Sequence, residues 1–303
     1  MTDRTRFDGV FTALVTPFTE TGAIDWKAFD ASIERQLEAG ITGLVPVGTT
    51  GEAATLTAHE ADTVIKHTIE RAKGKAYVLA GSGSNSTAKT VEATKRATDL
   101  GVDGVLVVTP YYNKPSQTGL IAHFGAVAEA TTGDVVLYSV PGRAGVSIAP
   151  ETAATLAREH ANITAIKEAG GDAARVSDLR AATGPEFVVH CGDDGLALAF
   201  FALGAAGLTS VFSNYDPEIC VALHKAWAEG DTARALDIHE VMRPIAEAMF
   251  IENSPAPVKH LLADAGRMSE TVRLPIAATS TESQETLVRV RTEFSQRRAA
   301  LAI

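Results

Sequence analysis

Cysteine and positive charge are both scarce in this chain. Only two cysteines, Cys191 and Cys220, occur among 303 residues, and their spacing resembles no C-x-x-C metal motif. A reduced, cytoplasmic protein is expected. Acidic residues outnumber basic ones by 37 to 27, giving a formal net charge of −10. That balance repels nucleic acid phosphates and anionic membrane surfaces, so neither is expected as a partner. No apolar run reaches the ~18 residues of a membrane span, and the polar opening stretch 1–8 has no apolar export core. The motifs H-E-x-x-H, G-x-S-x-G and G-x-G-x-x-G are also missing. Zinc-protease, serine-hydrolase and dinucleotide-binding chemistry lose their usual signatures.

What remains is ordinary for a packed globular protein: 46% hydrophobic and 21% charged residues. Short β-branched runs alternate with longer helical patterns, the mark of repeated βα units around a parallel sheet. The runs fall at 9–17, 43–47, 76–81, 104–109, 135–140, 163–168, 186–190 and 207–212, eight in all. Eight units without a tight hairpin predict an α/β fold of the (β/α)8 TIM-barrel type rather than a doubly wound sheet. Between the runs, Trp26, Phe29, Ile33 and Leu37 share one helical face, as do Ile219, Leu223 and Trp227. Asp216 before Pro217 reads as an N-cap with proline at the first helical position, and Gly230 as a stop. The barrel is therefore expected to span 1–228. A C-terminal helical appendage, 229–303, is expected to hold helices near 233–252, 255–265 and 281–300, with a small-residue loop at 277–283.

Barrel enzymes work where strands end, because side chains from many strands converge there. Lys167 lies near the end of the apolar run Ile163-Thr164-Ala165-Ile166-Lys167-Glu168. Strand alternation sends Lys167 and Glu168 to opposite sides, so the amine need not be neutralised by its neighbour. An amine held among apolar groups disfavours its charged form and attacks a ketone as a nucleophile; a lysine that snorkels or finds an ion pair is the alternative. Gly48-Thr49-Thr50-Gly51-Glu52 follows the second run, where two glycines let backbone amides and two hydroxyls approach a carboxylate. A plain βα turn with a threonine cap would use the same residues. Tyr111 and Tyr112 follow the fourth run and Tyr138 ends the fifth. These phenols could relay protons alongside a threonine hydroxyl, or simply pack over the barrel mouth. Arg143, after Pro141-Gly142, could clamp a carboxylate in two hydrogen bonds or sit in a surface ion pair. Gly192-Asp193-Asp194-Gly195 offers adjacent carboxylates without further ligands at suitable spacing, so no metal site is expected.

The four segments Gly48 to Glu52, Tyr111 to Pro115, Tyr138 to Arg143 and Ile166 to Glu168, in that order, resemble the dihydrodipicolinate synthase family, within the superfamily that includes N-acetylneuraminate lyase. The likeness spans the barrel and continues into the appendage. It implies a lyase that condenses pyruvate with aspartate 4-semialdehyde, a step of lysine and diaminopimelate biosynthesis, through a Schiff base on Lys167 and without a cofactor. It further implies Tyr138, Thr50 and Tyr112 as proton-transferring residues, with Tyr112 reaching a neighbouring subunit's site, and Thr49 as the bridge between their hydroxyls. Arg143 would hold the semialdehyde carboxylate, and Thr50, Gly192 and Thr209 would position pyruvate. A homotetramer built as a dimer of dimers goes with that shared tyrosine.

Some positions depart from the family pattern. Ser139 stands where asparagine is frequent, Gly170 where serine is common, and Thr209 where an aliphatic residue is usual. The pocket that binds lysine in feedback-inhibited relatives is here matched by Ala53, Ala58, Ala61 and Lys89, with only Asn85 and Tyr111 retained. A cationic Lys89 repels a lysine ligand, so weak or absent inhibition is expected. The same barrel, lysine and tyrosine also suit N-acetylneuraminate lyase or an aldolase of 2-keto-3-deoxy sugar acids. A barrel that binds an oxo acid without turning it over is the third reading. The paired threonines, Tyr112 and Arg143 favour the synthase.

Overall fold

The computed structural model describes residues 4–301 and 303. Eight parallel strands form its centre: β1 (Gly9–Ala13), β2 (Gly43–Val45), β3 (Tyr77–Gly81), β4 (Gly104–Val108), β5 (Asp134–Ser139), β6 (Ile163–Glu168), β7 (Val188–Cys191) and β8 (Gly207–Ser210). They follow one another in chain order, and β1 pairs with β8 to close the barrel. This is the TIM barrel that the eight alternating runs predict.

The strands are apolar on both faces because both are covered. Phe11, Val45, Leu79, Leu106, Val136, Ala165 and Val188 pack inside the barrel. Their neighbours one residue away, including Val10, Leu44, Val78, Val105, Val135, Ile166 and Val189, pack outward against helices. Those helices are α1 (Trp26–Glu38), α2 (Ala58–Ala72), α3 (Thr87–Leu100), α4 (Gln117–Ala128), the short turn α5 (Pro141–Ala144), α6 (Pro150–Glu159), α7 (Ala174–Thr183), α8 (Ala197–Ala202) and α9 (Pro217–Ala228). On α1, Phe29 and Ile33 are fully buried with Trp26 and Leu37 packed beside them, the face that the spacing predicts. Truncating a buried ring such as Phe29 to alanine costs about 3–5 kcal/mol. The punctuation of α9 is as read: the Asp216 side chain accepts from Ile219 N, Pro217 opens the helix, and Gly230 turns away at φ +81°.

Beyond α9 come α10 (Thr232–Ala248), α11 (Ala256–Asp264) and α12 (Thr281–Ala300). Helix α10 packs against α9 and α12. Ser280 caps α12, so that helix takes up the end of the small-residue stretch 277–283.

Strands β1 and β8 stop before their apolar runs end, for identifiable reasons. The first run reaches Pro17, yet β1 ends at Ala13, and the Val15 amide donates to the Asn214 side chain at 3.0 Å. The last run reaches Phe212, but Val211 and Phe212 donate their amides to Asp194 Oδ2 at 2.9 and 3.1 Å. Asp194, which is buried, also accepts from Ser210 Oγ at 2.5 Å. Side chains from other loops thus satisfy backbone groups that a longer strand would pair.

Candidate active site

Strand parity aims Tyr138 of β5 and Lys167 of β6 into the barrel, and the two are paired in register. Lys167 is 5% and Tyr138 7% exposed, and the Lys167 Nζ stands 4.4 Å from the centre of the Tyr138 ring. A phenol face attracts a cation and leaves an amine without a counter-charge. Among the described residues Lys167 takes part in no ion pair. Glu168 points the other way and is paired instead with Arg175, whose Nε donates to Glu168 Oε2 at 3.0 Å, while the Gly170 amide donates to Oε1 at 2.8 Å. Burial pushes the Glu168 carboxyl up, against the opposing pull of Arg175. The expectation that lysine and glutamate part to opposite faces therefore holds.

Tyr138 is held through its backbone: its carbonyl accepts from Thr109 N at 2.9 Å and Thr109 Oγ1 at 2.8 Å. Its phenol has no hydrogen-bond partner among the described residues. Gly192 follows β7 beside the amine, and a Cβ added there would lie 3.0 Å from Lys167 Cε and 2.7 Å from Ala169 Cβ. Only glycine fits against the lysine stem at that point. Thr209 of β8 also faces inward, with its Oγ1 3.1 Å from His190 Nδ1. The other ring nitrogen of His190 lies 2.6 Å from the Phe7 carbonyl, which can only accept. Nε2 therefore carries the ring proton, and Thr209 donates its own to Nδ1. Burial keeps this imidazole neutral, with its pKa pushed down to about 4. The hydroxyl of Thr209 is thus oriented, with both of its lone pairs free to accept from a donor. His190 was not singled out from sequence, although alternation along β7 places it on the same face as Gly192.

The remaining candidate residues make no hydrogen bond or ion pair with Lys167 or Tyr138 among the described residues. Thr49 and Thr50 sit in the loop after β2, Thr50 buried and Thr49 half-buried. Neither hydroxyl bonds to Tyr138, and neither caps a helix; Thr57 caps α2 instead, in a capping box with Glu60. Tyr112 is 90% exposed and has φ +74°, a conformation that costs a bulky residue about 1–3 kcal/mol. Arg143 lies exposed on α5, with its amide bonded to the Val140 carbonyl, and has no acidic partner among the described residues. Two clefts on the helical exterior, one around Ala157 and Phe187 and one around Arg35 and Arg267, include none of these residues.

Asp193 and Asp194 brace loops: Asp193 accepts the Gly195 amide at 3.0 Å, and Asp194 holds the end of β8. Among the described residues no group of three or more His, Cys, Asp and Glu side chains is placed to hold a metal ion. No helix there is long and apolar enough to cross a membrane.

A closed parallel barrel with a lysine and a tyrosine side by side at the inner ends of adjacent strands is the arrangement of lyases of the class I aldolase type. The family model described as the dihydrodipicolinate synthetase family matches residues 6–293. A 4-hydroxy-tetrahydrodipicolinate synthase from Exiguobacterium sp. is 45% identical over 292 residues, covering 96% of this chain and 99% of the relative. One from Chelativorans sp. is 42% identical over 279 residues, covering 92% and 95%. The solved structure of the 4-hydroxy-tetrahydrodipicolinate synthase from Methylacidiphilum fumariolicum SolV superposes with a TM-score of 0.96 at 41% identity, covering 97% of this chain and 98% of that one. The chain belongs to the dihydrodipicolinate synthetase family.

Proposed function

We propose that this chain catalyses the 4-hydroxy-tetrahydrodipicolinate synthase reaction, joining pyruvate to L-aspartate 4-semialdehyde through a Schiff base on Lys167. The observation that carries the reading is the unpaired, buried Lys167 amine 4.4 Å from the Tyr138 ring at the inner strand ends. The amine attacks the pyruvate ketone and water leaves, giving a protonated imine. The imine withdraws electrons from the adjacent methyl, so a proton departs from that carbon and an enamine forms. The enamine carbon bonds to the aldehyde carbon of the semialdehyde. The substrate's own amine then attacks the imine carbon, closes the ring and expels the lysine amine.

Tyr138 gives and takes protons in these steps, joined by Thr50 and by Tyr112, with Thr49 bridging their hydroxyls. Arg143 holds the semialdehyde carboxylate through its guanidinium. Thr50 and the backbone around Gly192 and Thr209 position pyruvate. The exposure and unfavourable backbone of Tyr112 favour a role outside its own subunit, which calls for a dimer; the working form is a homotetramer made of two such dimers. The division at 228/229 separates the barrel, which carries the chemistry, from a helical unit. Two buried cysteines left as free thiols fit a reducing, cytoplasmic setting.

The test is substrate choice. Purified protein supplied with pyruvate should consume aspartate 4-semialdehyde and should not cleave N-acetylneuraminate or 2-keto-3-deoxy sugar acids. The opposite preference would make it a sugar-acid aldolase. No turnover of any of them would leave an oxo-acid-binding barrel.

A further inference from the structure

The loop that carries Thr49 and Thr50 is unfavourable at both ends. Val47 has φ +57° and Glu52 has φ +57°, left-handed values that side-chain-bearing residues adopt only where surrounding structure imposes them. At the first end the cause is visible. The Val47 carbonyl lies so close to Gly81 that a Cβ there would sit 2.0 Å from it, and the Gly81 amide bonds to the Pro46 carbonyl at 2.9 Å. In the middle, Thr16 Oγ1 donates to the Gly51 carbonyl at 2.7 Å.

At the second end the restraint comes from residues more than two hundred positions away. The Glu52 side chain is fully buried, and Lys259 of α11, itself fully buried, donates to its Oε1 at 2.5 Å. The backbone amide of Arg273 donates to Oε2 at 2.9 Å. Lys259 also donates to the Thr271 carbonyl at 2.9 Å. The Arg273 guanidinium spreads over Glu60 Oε1 at 2.6 Å, Gly22 O at 2.8 Å and Thr55 O at 3.2 Å. Both cations lie against the Phe18 ring, its centre 4.2 Å from Lys259 Nζ and 4.3 Å from Arg273 Cζ. Burial pulls the Lys259 ammonium down to about 8, and Glu52 is the group that opposes that pull. A buried ion pair is weak evidence for stability, since desolvation cancels much of its attraction. It is better suited to fixing one geometry among several.

We infer that Lys259 and Arg273 are positioning residues for the reaction: Lys259 and the Arg273 amide clasp Glu52, the Arg273 guanidinium holds the Thr55 carbonyl just after it, and together they keep the Thr49–Thr50 loop in the backbone conformation that presents its hydroxyls to the imine. The C-terminal helices thereby act on the chemistry without touching substrate. This rests on the proposed roles of Lys167, Thr49 and Thr50.

Two variants test it. Glu52→Gln combined with Lys259→Met removes both buried charges together, so neither is stranded. Arg273→Met removes the guanidinium and leaves the backbone donor. Each is measured for unfolding midpoint, kcat, the KM of each substrate, and borohydride trapping of pyruvate on Lys167. The expected result is a folded protein that still traps pyruvate on Lys167, with kcat lowered by about tenfold or more and little change in the KM for the semialdehyde, which Arg143 holds from another loop. Parental kcat and KM in folded variants would overturn the clasp. If the double variant does not fold, Arg273→Met alone decides by the same two outcomes. Absence of any pyruvate adduct in the parent would sink the catalytic reading itself, a result distinct from the first.

Discussion

Gly192→Ala is a demanding probe of the site because it adds one methyl group beside the proposed nucleophile. The new Cβ would lie 2.7 Å from Ala169 Cβ, 3.0 Å from Lys167 Cε and 3.1 Å from the Glu168 carbonyl oxygen. Carbon atoms settle at about 3.5–4.0 Å apart, so roughly 1 Å of overlap must be relieved. Two of the three neighbours are a Cβ and a backbone oxygen on or just beyond β6, which yield little. The lysine stem is the part most able to move. Overpacking of this kind costs about 1–3 kcal/mol of stability, and a displacement near 1 Å at a reacting group costs about a hundredfold in rate. Gly142→Ala, where an added Cβ meets nothing within 4 Å, is the matched control. Steady-state kcat and the rate of borohydride-trapped adduct formation should both fall in Gly192→Ala and stay near the parent in Gly142→Ala. A folded Gly192→Ala protein with parental rates would refute the placement of Lys167 against Gly192.

Acid should destabilise the fold through buried neutral imidazoles. Burial holds His190 and His123 at about 4, below their ordinary value of 6.5. Their contribution is therefore complete above pH 6.5 and is lost as pH falls from there toward 4. Each should lose about 2 kcal/mol by pH 5; urea unfolding at pH 7 and pH 5 checks this, and His123→Gln should remove its share of the difference. Submillimolar L-lysine should leave the initial rate unchanged, because exposed Lys89 and the alanines Ala53, Ala58 and Ala61 replace a polar, acidic pocket. Strong inhibition at those concentrations would contradict that reading.

How much of this was legible beforehand depends on the distance over which a residue acts. Period-two alternation along the β6 run was enough to separate Lys167 from Glu168, and the eight apolar runs were enough for a barrel, because both are local properties of the chain. The ends of β1 and β8 were not legible, whereas β6 spans its whole run. The apolar residues Leu14, Val15, Val211 and Phe212 read as strand, yet amides of Val15, Val211 and Phe212 are taken by Asn214 and Asp194 from other loops. The same limit hid His190, whose role depends on the Phe7 carbonyl, and Glu52, whose partner Lys259 belongs to another part of the chain. In the sequence Glu52 is only the end of a glycine-threonine motif. Its burial beside a lysine is a property of the folded chain that no short window contains. Tyr112 and Arg143 could be named from their motifs, but no periodicity says that they stay exposed within one subunit.

The central claim is covalent. Incubating the protein with pyruvate and borohydride, then measuring intact mass and mapping the modified peptide, tests it directly. One reduced pyruvate per chain, located on Lys167 and lost in Lys167→Ala together with condensation activity, is the predicted result. No adduct, an adduct on a different lysine, or a Lys167→Ala protein that condenses its substrates at the parental rate would contradict it.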